Sequence, residues 1–160
     1  MGKHIFSGSF TTENEEDLVV FIIGMRVNKR LAIQKWLPVF TAMPPMIREL
    51  YTNQKELGFL SMESFFGIRT TVMIQYWRST EDLLAYAKGS NHLKAWKNFN
   101  KKVGDNPAVG IYHETFVVKQ GNYESFYGNM PQYGLAKAMP HIPISPHHRS
   151  AQKRLTPQAK

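Results

Sequence analysis

Cysteine is absent from this sequence, which removes disulfides, cysteine-ligated zinc, iron–sulfur clusters, thiolate-bound haem and a thiol nucleophile together. Any metal would rest on His, Asp, Glu or Tyr. Long apolar runs are missing too. The longest, Leu18 to Met25, has a strand's length and falls far short of the roughly 18 to 20 residues of a bilayer-crossing helix. The opening Met1-Gly2-Lys3-His4 has neither the apolar stretch nor the cleavage site of a signal peptide, so the sequence predicts a cytoplasmic protein without a membrane span. No G-x-G-x-x-G or P-loop spacing occurs, no G-x-S-x-G elbow, and no His-x-x-x-His or His-Glu-x-x-His helix. Nucleotide binding, serine hydrolysis and a closed zinc site lack support.

Acidic residues are scarce: 12 against 20 Lys and Arg, for a net charge of +8. The excess is uneven. From Lys137 onward stand Arg149, Lys153, Arg154 and Lys160 with no acid at all, and the residues before them carry only +3. Pro140, Pro143, Pro146 and Pro157 interrupt this tail, which also holds His141, His147 and His148. Residues 140–160 therefore read as an extended or disordered tail, solvated or wrapped on a partner, and nucleic acid is not the expected partner. What remains is ample for one core: 160 residues, 42% apolar and 12% aromatic, the size of a single domain.

Residues 1–17 are polar and end in Glu13, Glu15, Glu16 and Asp17, a flexible lead-in to a domain over 18–139. The β-branched run from Leu18 to Arg26 predicts a strand buried on both faces. From Ile33, apolar residues recur at Trp36, Leu37, Phe40, Met43, Ile47 and Leu50, one stripe of an amphipathic helix. Pro44-Pro45 should break it into two pieces sharing one face. Two strand-like segments flank Gly67, Phe59 to Phe66 and Thr70 to Arg78, and predict a hairpin. Ser79-Thr80-Glu81-Asp82 resembles a capping box opening a helix that Gly89 stops, and His92, Trp96, Phe99 and Val103 form the stripe of a second helical stretch. Ala108 to Val118 reads as the last strand. The order β, α, β, β, α, β predicts an α+β, ferredoxin-like βαββαβ antiparallel sheet with the helices on one face. The other face then needs a cover. A second copy packed sheet to sheet would make a dimeric α+β barrel, a homodimer around an apolar chamber, with the aromatic segment 119–139 packed over the barrel or its mouth.

Strand alternation puts His113 on the face of Val109, Ile111, Thr115 and Val117, and Glu114 on the opposite one. His113 is either a hydrogen-bonded core histidine or a group offered to a cavity, where it would ligate haem iron or take a substrate proton. Glu114, on that other face, is an ion-pair partner for Arg26, Arg69 or Arg78, or an acid–base catalytic group. Trp77 and Trp96 are core anchors or pocket walls. His92 caps or packs on Trp96 unless it lines that pocket, and Tyr127 belongs to an aromatic set that lines it or locks subunits together.

The run Gln75-Tyr76-Trp77-Arg78-Ser79-Thr80-Glu81-Asp82-Leu83, with Ala85-Tyr86-Ala87, Trp96, Phe99-Asn100 and Val109-Gly110-Ile111-Tyr112-His113-Glu114-Thr115, resembles a monooxygenase-like family of the dimeric α+β barrel superfamily. That family is described as similar to phenylacetaldoxime dehydratase and spheroidene monooxygenase. Gly24-Met25-Arg26, Trp36-Leu37-Pro38-Val39-Phe40 and Tyr127-Gly128-Asn129-Met130-Pro131 add to the likeness, which covers about residues 18–139. The resemblance implies a homodimeric oxidoreductase acting on a hydrophobic small molecule, with haem or with no cofactor. In the haem form His113 is the axial ligand and Arg26 or Arg78 holds a propionate. In the cofactor-free form His113 takes a substrate proton. A haem or small-molecule binding protein without turnover, and an aldoxime-dehydratase-like haem lyase, are the alternative readings.

Overall fold

In the computed structural model, residues 4–13 and 15–155 are described. Strands β2 (Leu18–Val27), β3 (Phe59–Phe66), β4 (Thr70–Trp77) and β5 (Val109–Val118) form one sheet in the order β3-β4-β2-β5. Every neighbouring pair is antiparallel. Helices α1 (Ile33–Thr52), α3 (Thr80–Ala87) and α4 (Ser90–Lys102) are threaded between the strands, and α2 (Gln54–Leu57) is a single extra turn. This is the expected ferredoxin-like βαββαβ order. The alternation of β2 divides its side chains. Val19, Phe21, Ile23 and Met25 face the helices, and Leu18 and Val20 face away.

The helix side builds the main core, where Val19, Leu50, Phe59, Met62, Met73, Trp77 and Leu83 are buried together. The capping residue of α3 is the expected one: Ser79 Oγ accepts from the Asp82 N–H at 3.1 Å. Asp82 completes a different exchange from the predicted box, taking the Ser79 hydroxyl at 2.8 Å and the Arg78 guanidinium at 2.9 Å. The expected hairpin is present, closed by the Gly67 N–H donating to the Thr70 carbonyl at 2.7 Å.

Three expectations need correction. Helix α1 runs unbroken through Pro38, Pro44 and Pro45. Its stripe places Val39, Phe40, Met43, Ile47 and Leu50 against the sheet on both sides of the proline pair, and this shared burial outweighs the hydrogen bonds the prolines remove. The lead-in 1–17 is not without structure, since β1 (Phe6–Thr12) pairs with β6 (Tyr127–Met130) and β7 (His141–Pro143) in a second, three-stranded sheet. The tail is correspondingly not free over its described part: β7 is followed by helix α5 (Ala151–Leu155), whose Arg154 binds Glu124 at 2.7 Å. Residues 156–160, with Pro157 and Lys160, lie outside the described residues. Strand β1 lies more than a hundred positions from both strands it pairs with, so no local pattern announces the pairing.

The cover of the outer sheet face comes in part from the chain itself. A 3-10 turn at Gly134–Lys137 carries Leu135 and, just beyond it, Met139 onto Leu18, beside Val20, Leu60 and Tyr76. Glu63 fastens this strap, accepting from the Gly134 N–H at 2.9 Å and pairing with Lys137 at 2.5 Å. Among the described residues no helix is long and apolar enough to cross a membrane.

Candidate active site

The chamber lies inside one protomer, between sheet and helices, and not between two copies as the sequence suggested. Its volume is about 540 Å³. The sheet wall is Phe21, Ile23 and Met25 of β2, Thr71, Met73 and Gln75 of β4, and Ile111, His113 and Thr115 of β5. The helical wall includes Met43, Met46 and Ile47 of α1, Leu83 and Tyr86 of α3, and His92, Trp96 and Phe99 of α4. Each set follows from a period: alternate positions on strands, and three- or four-residue steps on helices.

Polar groups are few on these walls, and most are already engaged. Gln75 is buried; its Oε1 accepts from Trp77 Nε1 at 3.0 Å and its Nε2 donates to Met62 Sδ at 3.8 Å. The Tyr86 hydroxyl donates to the Met46 carbonyl at 3.5 Å. Burial, with the nearby Glu49 carboxylate adding to it, pushes the Tyr86 phenol well above its ordinary range, so it stays a donor. His92, in the first turn of α4, sets its ring 5.8 Å from that of Tyr86. Its Nδ1 is buried without a hydrogen-bond partner. Beside it, Asn91 Nδ2 donates to Glu49 Oε1 at 2.9 Å and ties the start of α4 to α1. His113 projects from the edge strand at the open side of the cavity, 5.6 Å ring to ring from Phe21.

Of the residues singled out from the sequence, the structure brings His113, His92 and Trp96 to one cavity. The others lie elsewhere. Glu114 follows His113 in a strand and is therefore on the opposite sheet face, opposite Ile22, so the two do not share a site. Arg26 lies outside the cavity and is exposed. Arg78 is bound to Asp82 at the surface and meets neither Glu114 nor the cavity. Trp77 is wholly buried behind the wall, packed on Phe59 and Tyr86. Tyr127 stands in the second sheet, where its hydroxyl accepts from the Ala136 N–H at 3.1 Å. Sequence reasoning missed Gln75, Tyr86 and the α1 residues as cavity walls. The available signal was Gln75 itself, a polar residue at a core-facing position of a strand.

Haem, which the resemblance implies, takes an axial imidazole and cations for its propionates. His113 meets the first need. The second is unmet, since among the described residues no Lys or Arg lines the cavity and Arg26 and Arg78 are elsewhere. These residues do not fit a propionate-bearing group.

A ferredoxin-like α+β unit with an apolar cavity between its sheet and helices is thus the class of protein defined here, and similarity to known proteins agrees. Residues 18–135 match the family described as Monooxygenase af470-like, and the chain belongs to that family. It is 28% identical over 119 residues to Monooxygenase af470 of Aspergillus fumigatus, covering 70% of this chain and 42% of that protein. Among solved structures it resembles aldoxime dehydratase OxdRE, crystallised with butyraldoxime, with a TM-score of 0.69 at 15% identity over 87% of this chain and 41% of the other. A second aldoxime dehydratase gives 0.68 at 16% identity over 87% and 45%. The chain spans less than half the length of each, and the two structural likenesses establish the fold.

Proposed function

We propose that this protein is a monooxygenase-like oxidoreductase that binds an apolar molecule carrying an acidic hydroxyl or an activated methylene, and that imidazole does the proton work without a cofactor. The observation that carries this reading is His92 Nδ1, a buried nitrogen without a partner on a largely apolar wall. His92 lines the cavity, and a turn of its ring that brings Nδ1 to the lumen would let a substrate donor satisfy an atom the fold leaves unpaired. In this reading His92 accepts the substrate proton, and His113, on the sheet wall, hydrogen-bonds the resulting anion. The methionine, leucine and aromatic walls reduce the water around that anion. The electron-rich substrate then reduces dioxygen itself, as R–CH2–R′ + O2 → R–CO–R′ + H2O. Two C–H bonds break, one oxygen stays as the ketone, and the other leaves as water.

The test is dioxygen uptake with anthrone, an apolar probe with an activated methylene. Uptake is expected, and His92→Ala should slow it by about 10²- to 10⁴-fold, the usual weight of a general base, while fluorescence quenching still reports anthrone binding. Anthrone binding with no uptake by the parent protein would favour a binding protein without turnover. A Soret band after haem reconstitution that His113→Ala abolishes would overturn the cofactor-free reading.

A homodimer is part of the same proposal. The strap leaves Tyr112 and Phe116 of the outer face 42% and 49% exposed. Arg26 and Glu114 flank them on β2 and β5, so a two-fold pairing of this face would bring each Arg26 towards the other copy's Glu114.

A further inference from the structure

We infer that one end of the main sheet, formed by the β2–α1 turn and the tip of the β3–β4 hairpin, seats this protein on an anionic lipid surface. Leu31 is 97% exposed, Ile68 90% and Phe66 69%. Such large apolar side chains, this exposed and this close together, mark a contact surface. The two tips are neighbours, because the Val27 N–H donates to the Arg69 carbonyl at 2.7 Å and Arg26 pairs with Thr70.

Neither tip is loose. The Asn28 and Lys29 N–H groups both donate to the Ala108 carbonyl, at 2.9 and 3.0 Å, and Trp36 Nε1 donates to the Arg30 carbonyl at 2.9 Å. The hairpin is closed at Gly67. The apolar side chains are therefore held outward by braced turns. They are convex tips, the shape that enters a bilayer interface, and not a groove that would receive a helix or strand.

Their surroundings carry the complementary charge. Lys29, Arg30 and Arg69 are all exposed, and the sequence has no Asp or Glu from Leu18 to Arg48 or from Ser64 to Thr80. The turn that holds Ala108 contributes one acid, Asp105. A cationic rim around apolar tips is the pattern recognised by a negatively charged membrane surface. Ile33 and Leu37, 51% and 42% exposed, continue the apolar surface along α1 to Pro38, which lines the cavity. The same end thus offers an apolar substrate a route from lipid to the chamber, and this last step alone rests on the proposed function.

The experiment is co-sedimentation of the full chain with phosphatidylcholine vesicles prepared with and without phosphatidylserine, in the absence of substrate, so that its outcome is independent of oxygenase activity. Binding to the anionic vesicles is expected. Leu31→Ser combined with Ile68→Ser should weaken it by about tenfold or more, given the apolar area withdrawn, as should Lys29→Glu with Arg30→Glu. Arg149→Glu with Lys153→Glu, on the basic tail, should leave it unchanged. Circular dichroism and thermal melting of each variant should match the parent, since the altered side chains are exposed. The inference is overturned if the parent chain stays in the supernatant, if the Leu31/Ile68 variant binds as well as the parent, or if the tail substitutions alone remove binding. It is equally overturned if the Leu31/Ile68 variant halves the mass of the parent in light scattering with no vesicle binding by either, because the tips would then seat a second copy.

Discussion

Gly24 shows what a single residue decides here. An added Cβ would lie 2.2 Å from Tyr112 Cε1, so the tyrosine ring is laid across the strand only because position 24 has no side chain. Gly24→Ala is expected to displace that ring and cost about 1–3 kcal/mol, as overpacking does, read as a lower urea midpoint at unchanged slope. Glu63 is a second such position. It is 9% exposed and is the acceptor for the Gly134 N–H. Glu63→Ala should cost about 1–3 kcal/mol by leaving that buried donor unpaired, and limited proteolysis should then cut within the strap. At this scale the facing of His113 was legible, because strand alternation depends on nothing beyond the strand. The partner of Glu114 was not, because Arg78 is taken by Asp82 four residues along its own chain, a local contact that preempts a distant one.

At the scale of elements, α1 and the second sheet carry the lessons. Pro45 is exposed inside α1. Pro45→Ala should raise stability by about 2 kcal/mol, since an interior proline costs about 3 kcal/mol and the freer unfolded chain offsets about 1; chemical denaturation measures it. His141 of β7 stacks on Phe10 at 4.7 Å with Phe6 and Tyr127 edge-on, and both its ring nitrogens are buried without partners. Burial lowers its pKa from the usual 6.5. The unfolded chain therefore takes up this proton at a higher pH than the folded one. Stability is complete above about 6.5 and falls as the pH drops below it. The melting temperature should decline over that window, and His141→Phe should flatten the decline. The paired prolines suggested a break and the polar lead-in suggested no structure. Both expectations weigh neighbours in sequence, whereas these elements are held by partners far along the chain.

For the molecule as a whole, the location of the chamber matters most. Its walls come from one protomer, so the proposed second copy is not needed to form the cavity and would instead cover the part of the outer face that the strap leaves open. Phe116→Glu should then halve the mass seen by light scattering while leaving anthrone binding intact; loss of binding together with the dimer would place the site at the interface instead. The βαββαβ order was legible because each element announces itself by its own period. Packing of the segment 119–139 over the barrel was expected from its aromatic content, and its part at Leu135 and Met139 lies on the outer face; the second sheet was not legible, since it depends on residues 6–12 meeting 127–130 and 141–143.

Taken alone, the sequence determined the four strands of the main sheet, the helical stretches between them, their order and the facing of His113, because two-residue and 3.6-residue periods are properties of consecutive positions. Tertiary structure alone decided that His92 and His113 face one cavity, that Arg26, Arg78 and Glu114 stay outside it, and that residues 6–12 meet 127–130 and 141–143 in a second sheet. Each of these depends on which surfaces bury one another, a matter of distances across the fold that adjacent residues do not encode.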